Sequence, residues 1–320
     1  MNIVILSARP GWHIDELGAA LAARGHSGHV VAYEHLVAGV TGARASLRSS
    51  RAGLREPLGA NAISLLDADA VLPRIVPEGS LEQIIFRVDA LHWIEDRGIE
   101  VMNSARAIER SVDKFYTTAL LHEAGVPTPD TVVCEGPADA MAAIEGMLGG
   151  GAEVIIKPLF GSMGNGLVRV GDRELAWRVV RTIAQMRSVF YVQRAIDHDG
   201  HDLRAFVVGD RVLGSIERTA PAGDWRTNVA RGGSARAVDL PSSLQQLAVR
   251  AAKAVGAEYA GVDLLRSRDG EVFVVEVNGI PGWQGLQEAT GIEVAGAIVE
   301  HLVSRVHSSE PTRGVAGTVT

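Results

Sequence analysis

The feature that most constrains this chain is a pair of apolar segments within residues 260–278, joined by Asp269-Gly270. Asp-Gly between two apolar runs is the commonest signal of a two-residue β-hairpin loop, so the register of the two strands can be predicted. With these two residues as the loop, Asp263 lies directly opposite Glu276. The sequence therefore predicts two carboxylates that face each other across a hairpin.

Two carboxylates in this position need a positive charge between them. Like charges across a ladder repel, and an uncompensated charge among Val, Leu and Phe side chains is costly. Period-two alternation puts Asn278 on the same face as Glu276, whereas Val275 and Val277 face the other way. An all-oxygen ligand set suits Mg²⁺ or Mn²⁺, completed by water and phosphate, and does not suit zinc. The alternative is a pair of edge carboxylates that face solvent.

A glycine-rich segment follows another predicted strand. The strand at residues 153–157 ends at Lys157, and the glycines of residues 161–166 lead into a strand at residues 167–170. Glycines let backbone N–H groups close on phosphate oxygens, and Lys157 stands beside them. The pattern is neither a GxxxxGK[ST] P-loop nor a GxGxxG turn that opens a helix. It resembles a nucleotide lid, with an ordinary glycine hairpin as the alternative.

Further basic residues occur where an anionic transition state would need them. They are Lys114, Arg204, Arg218, Arg226 and Arg231, with Asn228 between the last two. Arg204 and Arg218 fall on predicted strands, where a single arginine could equally face solvent. Together with the carboxylates and the glycine lid, they supply the positioning and charge neutralisation that phosphoryl transfer requires.

Composition excludes several other classes of protein. The 320 residues are 47% hydrophobic with a net charge of −7, so the positive field of a nucleic-acid-binding protein is missing. The single cysteine, Cys134, excludes an internal disulfide and agrees with a reducing cytoplasm. No signal peptide, no apolar run of about 18 residues and no nucleophile elbow is found. A cytoplasmic enzyme without membrane or nucleic-acid partners is expected, and homo-oligomerisation stays open.

The predicted elements divide the chain into three lobes and a tail. Residues 1–103 alternate strands and helices, which predicts an α/β lobe on the acceptor side. Residues 104–188 begin with one long helix, continue through a proline-rich link, and contain the glycine lid. Residues 189–307 are rich in strands and contain the carboxylate hairpin. Residues 308–320 are small and polar, which predicts a flexible tail.

Two other polar segments have two interpretations each. One contains arginines at the helical spacing of three and four residues, namely Arg44, Arg48, Arg51 and Arg55. They could line an anionic substrate, or form a solvated helix face or loop. The other contains His198 and His201, which look like metal ligands but lack zinc-motif spacing. This segment is predicted to be a solvent loop in which only Asp202 matters.

The order of these motifs resembles the ATP-grasp superfamily. The motifs are Asp113-Lys114, Ile156-Lys157-Pro158, residues 161–166, Tyr191-Val192-Gln193, Asp202-Leu203-Arg204, residues 224–228, Gly232-Gly233, residues 260–263 and residues 275–278. Within the superfamily, nearly all of residues 1–305 are similar to the RimK-type α-L-glutamate ligases, most of all to the tetrahydromethanopterin glutamate ligase branch. Residues 157–161, 190–193 and 281–286 carry that closer similarity.

The resemblance implies an ATP-grasp fold of mixed α/β and α+β class, with an N-terminal α/β lobe and two α+β subdomains that enclose ATP. The residues implied to bind the nucleotide are Lys114, Lys157, Gly161, Ser162, Gly164, Gly166, Gln193, Arg194, Ala195, Ile196 and Asp202. Within this set, the lysines contact phosphates and residues 193–196 form the hinge against adenine. Arg194 departs from the glutamate that relatives usually carry, and the resemblance implies that adenine recognition at this position is largely by backbone.

The resemblance also implies how metal and substrate are held. The implied ligands of one or two Mg²⁺ or Mn²⁺ ions are Asp263, Glu276 and Asn278, with Glu276 bridging. The implied ligands of the γ-phosphate, acyl phosphate or substrate carboxylate are Arg204, Arg218, Arg226 and Asn228, whereas the role of Arg231 is open. Arg74 and Arg87 would face the acceptor or, equally, lie on the surface.

The activity implied is that of an ATP-dependent carboxylate–amine ligase. ATP phosphorylates a carboxylate, an amine attacks the acyl phosphate, and ADP, phosphate and an amide result. The most specific expectation is addition of L-glutamate to a pterin-type or related coenzyme. The alternatives are a ligase that adds glutamate to a protein C-terminus and a nucleotide-binding regulatory module without turnover.

Overall fold

The structure, a computed structural model, describes residues 1–50, 62–161, 166–221 and 233–309. The strands are β1 Asn2–Ser7, β2 Ser27–Ala32, β3 Val37–Thr41, β4 Arg44–Ser49, β5 Ile63–Ser64, β6 Ala70–Pro73, β7 Glu100–Val101, β8 Thr131–Cys134, β9 Val154–Lys157, β10 Val168–Val170, β11 Phe190–Arg194, β12 His201–Val208, β13 Arg211–Thr219, β14 Ser234–Ala237, β15 Tyr259–Arg266 and β16 Val272–Asn278. The helices are α1 Trp12–Ala23, α2 Leu81–Asp96, α3 Ala105–Val112, α4 Lys114–Glu123, α5 Pro137–Met147, α6 Arg173–Gln185, α7 Ser242–Val255, α8 Gln284–Thr290 and α9 Val294–Ser309.

The first sheet is parallel, with the strand order β2-β1-β6-β7. Its central strand is a continuous apolar run because helices cover both faces of the sheet. Ile3 and Ile5 pack with α1 and α9 on one face. Val4 and Leu6 pack with α2 on the other. The predicted α/β arrangement at the start of the chain is therefore present.

The arginine-rich segment after β2 is a strand, which corrects the predicted helix or loop. Arg44 and Arg48 lie on β4, in a small antiparallel sheet of order β3-β4-β5, and both are exposed. A spacing of four residues also returns to the same face of a strand, so the arginine pattern did not distinguish the two structures. Leu47 and Ser49 point inward and are buried. Arg51 and Arg55 lie outside the described residues.

The second sheet has the antiparallel order β10-β9-β11-β8. Side chains alternate between its two faces, so Ile156 and Val192 pack under α5 and α6 whereas Lys157 and Gln193 face away from that core. Strand β11 pairs with both β8 and β9, so the sheet continues past residue 188. The lobe boundary expected there falls before the strand that completes this sheet.

The third sheet has the antiparallel order β14-β13-β12-β15-β16. One face packs on α7. On the other face, Phe206, Val208 and Tyr259 pack against the first lobe and α9. Further along the same face, Asp202 and Asp263 are buried polar residues. The first lobe thus covers half of this face and leaves the polar half beside the second sheet.

The single helix predicted between residues 104 and 124 is two helices. Helix α3 ends at Val112, and Asp113 adopts an extended conformation in which its side chain accepts a hydrogen bond from Tyr116 N at 3.0 Å. Aspartate is a strong N-cap, so a new helix starts directly after it. The break places Lys114 at the first turn of α4. In the described ranges, no helix is long and apolar enough to cross a membrane.

Candidate active site

A cavity of about 390 Å³ lies between the second and third sheets. From the second sheet and its surroundings it is lined by Ile155, Lys157, Gly161, Leu167, Arg169, Tyr191, Gln193, Arg194, Ala195 and Ile196. From the third sheet it is lined by Asp202, Arg218, Asp263, Leu265, Val274, Val275, Glu276, Val277 and Asn278, and further lining residues include His198 and, from α4, Lys114 and Thr118. Residues predicted from separate motifs thus meet around one cavity.

Asp263 does pair with Glu276, as predicted, but the hairpin reaches this register by another route. The loop is longer than two residues, because Ser267 N donates to Glu271 O at 2.9 Å. A bulge between Asp263 and Leu264 then shifts the register by one residue and leaves Val275 outside the cross-strand pairs. The longer loop shifts the register by one residue and the bulge shifts it back, so Asp263 still lies opposite Glu276. The predicted alternation does not hold beside the bulge, since Val275 lines the cavity together with Glu276, and Val277 both lines the cavity and packs in the core on α7.

The carboxylate pair is compensated in part by arginines. Asp263 is 4% exposed, and Arg218 Nη2 lies 2.9 Å from its Oδ2. Arg204 Nε lies 3.5 Å from Asp263 Oδ1 without forming a hydrogen bond, and Oδ1 is buried with no hydrogen-bond partner among the described residues. Burial, together with the charge of Asp263, raises the pKa of Glu276. The arginines thus bond one oxygen of Asp263 and leave the other without a hydrogen-bond partner among the described residues.

The donor set therefore fits a divalent ion. An unpartnered carboxylate oxygen on Asp263, the Glu276 carboxylate and the amide of Asn278 are the oxygen ligands that Mg²⁺ prefers. Asn278 Oδ1 already accepts from Ile280 N at 2.9 Å, which fixes the orientation of the amide. Within the described ranges no three His, Cys, Asp or Glu side chains cluster as a metal site, so phosphate and water would have to complete the coordination.

Arg218 is held between two carboxylates. It donates from Nε to Asp202 Oδ1 at 2.7 Å and from Nη2 to Asp202 Oδ2 at 2.5 Å, and it also pairs with Asp263. Burial opposes its charge, but the charges of Asp263 and Asp202 prevail and raise the pKa of Arg218. Arg218 thus fixes both acidic side chains against the sheet, which is a bidentate arrangement that lysine could not reproduce.

Arg204 occupies space that a glycine leaves open. Gly261 is the cross-strand neighbour of Phe206, and a Cβ built on it would lie 2.6 Å from Arg204 Nη2. The guanidinium of Arg204 therefore passes directly over Gly261 on its way to Asp263. This explains why a glycine interrupts an otherwise apolar strand at this position.

Two lysines face the carboxylates from the other side of the cavity. Lys157 Nζ donates to Gln193 Oε1 at 2.6 Å, and burial lowers the pKa of Lys157 to about 8. Lys114 Nζ donates to Gly161 O at 2.7 Å, and burial lowers its pKa as well. Both ammonium groups are thus in an environment that favours an anionic ligand over water.

The hinge residues are on the cavity wall, but their polar groups are used elsewhere. Arg194 pairs through Nε with Asp130 Oδ2 at 2.9 Å, close to the surface. The backbone N–H groups of Arg194 and Ala195 donate to Asp130 O and Glu153 O, each at 2.9 Å. Gln193 directs its side chain to Lys157. The N–H groups of Arg194 and Ala195 are therefore not free to contact a ligand. Ala195 and Ile196 offer apolar contact and their backbone carbonyls.

Several predicted residues cannot be placed. Ser162, Gly164, Arg226, Asn228 and Arg231 lie outside the described residues. Of the flanking glycines, Gly161 has φ +139° and Gly166 has φ +73°, a backbone region that favours glycine, at either end of the glycine segment.

Arg74 and Arg87 are buried and His198 is half-buried, which differs from the solvent-facing position considered for each of them. Arg74 is 2% exposed, donates to Pro281 O at 2.9 Å and lies 4.7 Å from the Trp283 ring centroid. Arg87 is buried and donates to the carbonyl of Pro77 at 2.8 Å. His198 is half-buried and lines the cavity, which corrects its assignment to a solvent loop.

Asn103 is a structural residue that sequence reasoning missed. It is fully buried, and Nδ2 donates to Tyr259 O at 2.7 Å and to Gly279 O at 2.6 Å. Its Oδ1 accepts from Glu258 N at 2.7 Å and from Tyr259 N at 3.2 Å. Asn103 therefore joins the first lobe to the beginning of β15 and the end of β16. Only the polarity of Asn103 after an apolar run could have signalled this role.

The two sheets, the cavity between them and its facing carboxylates and lysines define the ATP-grasp class of fold. Residues 111–302 match the RimK-like ATP-grasp domain. The chain belongs to the RimK-like ATP-grasp family, and it is an ATP-dependent ligase that joins a carboxylate to an amine. This membership confirms the predicted family and fold class, and it does not favour a regulatory module without turnover.

Individual relatives support this assignment. The chain is 34% identical over 270 residues to a tetrahydromethanopterin:α-L-glutamate ligase of Methanosarcina acetivorans, covering 76% of this chain and 82% of the relative. It is 34% identical over 304 residues to a probable α-L-glutamate ligase of Trichodesmium erythraeum, covering 94% and 96%. The ATP-grasp ligase PsnB, solved with a precursor variant, Mg and ADP, has a TM-score of 0.68 at 21% identity, covering 95% and 98%.

Proposed function

We propose that the chain uses ATP and Mg²⁺ to attach L-glutamate through an amide bond to a carboxylate of a pterin-type or related coenzyme. The observation that carries the proposal is the pairing of Asp263 with Glu276 on one wall of a cavity whose other wall presents Lys114 and Lys157. This arrangement binds a polyanion through lysines and a divalent ion together. The glutamate and coenzyme parts rest on the similarity to the methanogen ligase.

In this proposal the acidic side holds the ion and the basic side holds the phosphates. Asp263, Glu276 and Asn278 are the ligands of one or two Mg²⁺ ions, which neutralise charge on the phosphates. Lys114 and Lys157 contact the phosphate oxygens, while the apolar side chains of Ile155 and other wall residues contact the adenine. Mn²⁺ would fit the same oxygen ligands.

In this proposal the arginines orient the substrate. Arg218 holds Asp202 and Asp263, and Arg204 reaches over Gly261 toward the same carboxylate. We assign Arg204 to the transferred phosphate or the substrate carboxylate, because its Nε is buried with no hydrogen-bond partner among the described residues. Arg226 and Asn228 keep the similar assignment that the family resemblance implies. With these charges in place, the amine of glutamate attacks the acyl phosphate and phosphate leaves.

The test of the proposal is ADP release that requires both L-glutamate and a coenzyme fraction. The expected product is a coenzyme whose mass has increased by one or more glutamate residues. If no coenzyme fraction raises ADP release above the rate with glutamate alone, the coenzyme assignment is wrong. Intact-mass measurement of proteins incubated with ATP and glutamate addresses the alternative acceptor, a protein C-terminus.

The pH dependence of ATP use should report on Lys157. Its pKa is lowered to about 8, so the cationic form that binds phosphate is lost as pH rises through that value. We expect kcat/KM for ATP, which reports ionisations of the free enzyme, to fall above about pH 8. Lys157→Arg should remove this alkaline limb because arginine stays charged, whereas Lys114→Arg should retain it. An unchanged limb in Lys157→Arg would assign it to another group.

A further inference from the structure

We infer that Gln193 is a positioning residue for Lys157, at one end of a directional hydrogen-bond chain that runs to α4, and not a contact of the adenine base. This inference rests on the proposed binding of ATP phosphates by Lys157. It gives the Gln193 side chain a role separate from the hinge against adenine that the family resemblance implies for residues 193–196. The evidence is the set of contacts around that amide.

The side chain of Gln193 has a partner for each of its polar hydrogens and for its oxygen. Gln193 is 3% exposed. Its Oε1 accepts from Lys157 Nζ at 2.6 Å, and its Nε2 lies 2.9 Å from Thr131 Oγ1 and 3.1 Å from Tyr191 OH. Tyr191 OH in turn lies 2.8 Å from Thr118 Oγ1. Both N–H donors are thus engaged, and Oε1 holds the Lys157 ammonium, before any ligand is considered.

The donor and acceptor roles along this chain follow from its two ends. Thr118 Oγ1 donates its hydrogen to Lys114 O at 2.8 Å, so it can only accept from Tyr191 OH. Thr131 Oγ1 donates to Pro129 O at 2.8 Å, so it can only accept from the amide of Gln193. Both hydrogens of Nε2 are therefore directed at hydroxyl oxygens. The reversed amide would place Nε2 against an ammonium group, so only one orientation is compatible with these partners.

The chain connects the two lysines that face the carboxylates. At one end, Lys157 is held by Gln193 and lies 5.8 Å from the Tyr191 ring centroid. At the other end, Thr118 bonds the carbonyl of Lys114, the first residue of α4. Gln193 and Tyr191 belong to β11, in the middle of the second sheet, so they are rigidly placed. Their amide and hydroxyl set the position of the Lys157 ammonium and its spacing from Lys114.

Adenine contact by this side chain would require that its amide point toward the base instead of toward Lys157, Thr131 and Tyr191. A base-reading amide must direct a free donor or acceptor at the base, whereas both N–H donors of Gln193 are engaged and its Oε1 holds Lys157 Nζ. The adjacent N–H groups of Arg194 and Ala195 are also engaged within the protein. The consequence is that loss of the Gln193 amide should weaken binding of the phosphates and leave binding of the nucleoside unchanged.

The test compares ATP with adenosine as ligands of the full chain, by calorimetry. Gln193→Met keeps the length of the side chain and removes all three contacts. We expect about a tenfold weaker affinity for ATP, in line with loss of a hydrogen bond to a charged group, and less than a twofold change for adenosine. Equal weakening for both ligands would make Gln193 an adenine contact, and unchanged affinity for both would remove any role. Either result overturns the inference.

Thr118 supplies a second variant that avoids the buried amide. Thr118→Val should weaken the affinity for ATP and leave the affinity for adenosine unchanged. Thr118→Ser should bind ATP as the wild type does, because it keeps the hydroxyl. Thr182→Val is the matched control, since Thr182 Oγ1 makes the same bond to the carbonyl four residues earlier, to Arg178 O at 3.0 Å, in the exposed α6. If Thr118→Val and Thr182→Val bind ATP equally well, the hydrogen bonds from Lys157 to Thr118 have no positioning role. These binding results do not depend on whether glutamate is a substrate, so the two proposals can fail separately.

Discussion

Glu276→Gln is expected to reduce ADP release by on the order of 10³-fold or more while the protein remains folded. The substitution removes one of two facing carboxylates and leaves the size of the side chain unchanged, so the site loses affinity for the divalent ion that the proposal requires. ADP release under saturating ATP and Mg²⁺ measures the effect. Retention of more than about a tenth of the wild-type rate would contradict the role of the pair.

The stability of the Glu276→Gln variant should not fall with its ADP release. The folded-state pKa of Glu276 is raised by burial and by Asp263, so the ionised side chain destabilises the fold at neutral pH and stability is regained as pH falls through the folded pKa. Glu276→Gln should therefore keep or raise the unfolding temperature in metal-free buffer. Glu271→Gln, on the exposed end of the same hairpin, is the control and should change neither quantity.

Asn103→Leu is expected to cause the largest loss of stability, about 3–5 kcal/mol in the free energy of unfolding. Leucine has a similar volume but leaves four backbone groups of Glu258, Tyr259 and Gly279 without the side-chain partners described above. Because these groups flank the strands that carry Asp263 and Glu276, ligase activity should fall in the protein that still folds.

Chemical denaturation of the full chain measures this effect. Asn2→Ala is the control, because Asn2 Oδ1 is buried with no hydrogen-bond partner among the described residues and its removal costs little. If Asn103→Leu unfolds within about 1 kcal/mol of the wild type, the four hydrogen bonds do not hold the two regions together.

The carboxylate pair shows how much of this site the sequence could predict. The Asp-Gly signal between two apolar strands predicted a hairpin with Asp263 opposite Glu276, and this pairing is present because the longer loop and the bulge offset each other. The longer loop and the compensating bulge were not predictable, since Asp-Gly is compatible with more than one hairpin loop and a bulge is set by packing on both sides of the strand. The position of Val275 on the cavity wall, beside the bulge, was missed for the same reason.

Other differences have equally physical causes. Asp113 interrupts a helix that apolar periodicity predicts as continuous, because its capping side chain outweighs the pattern on either side. Arg44 and Arg48 were compatible with a helix or a strand. The partners of the Gln193 side chain lie on its own strand and on the two neighbouring strands β8 and β9, so no local motif could reveal that its amide faces Lys157. The order of the motifs predicted the family, and the contacts among them required the structure.

The distribution of apolar cores limits which parts of the molecule can separate. The first sheet and the third sheet share one core, in which residues such as Ile3 and Phe206 pack with α9. Among the described residues, the second sheet forms a separate apolar core with α5 and α6, drawn from residues 134–192. Nucleotide entry is therefore expected to occur by tilting of this smaller body on the connections near residues 127–130 and 195–200, while the first sheet, the third sheet and α9 stay together as one larger body.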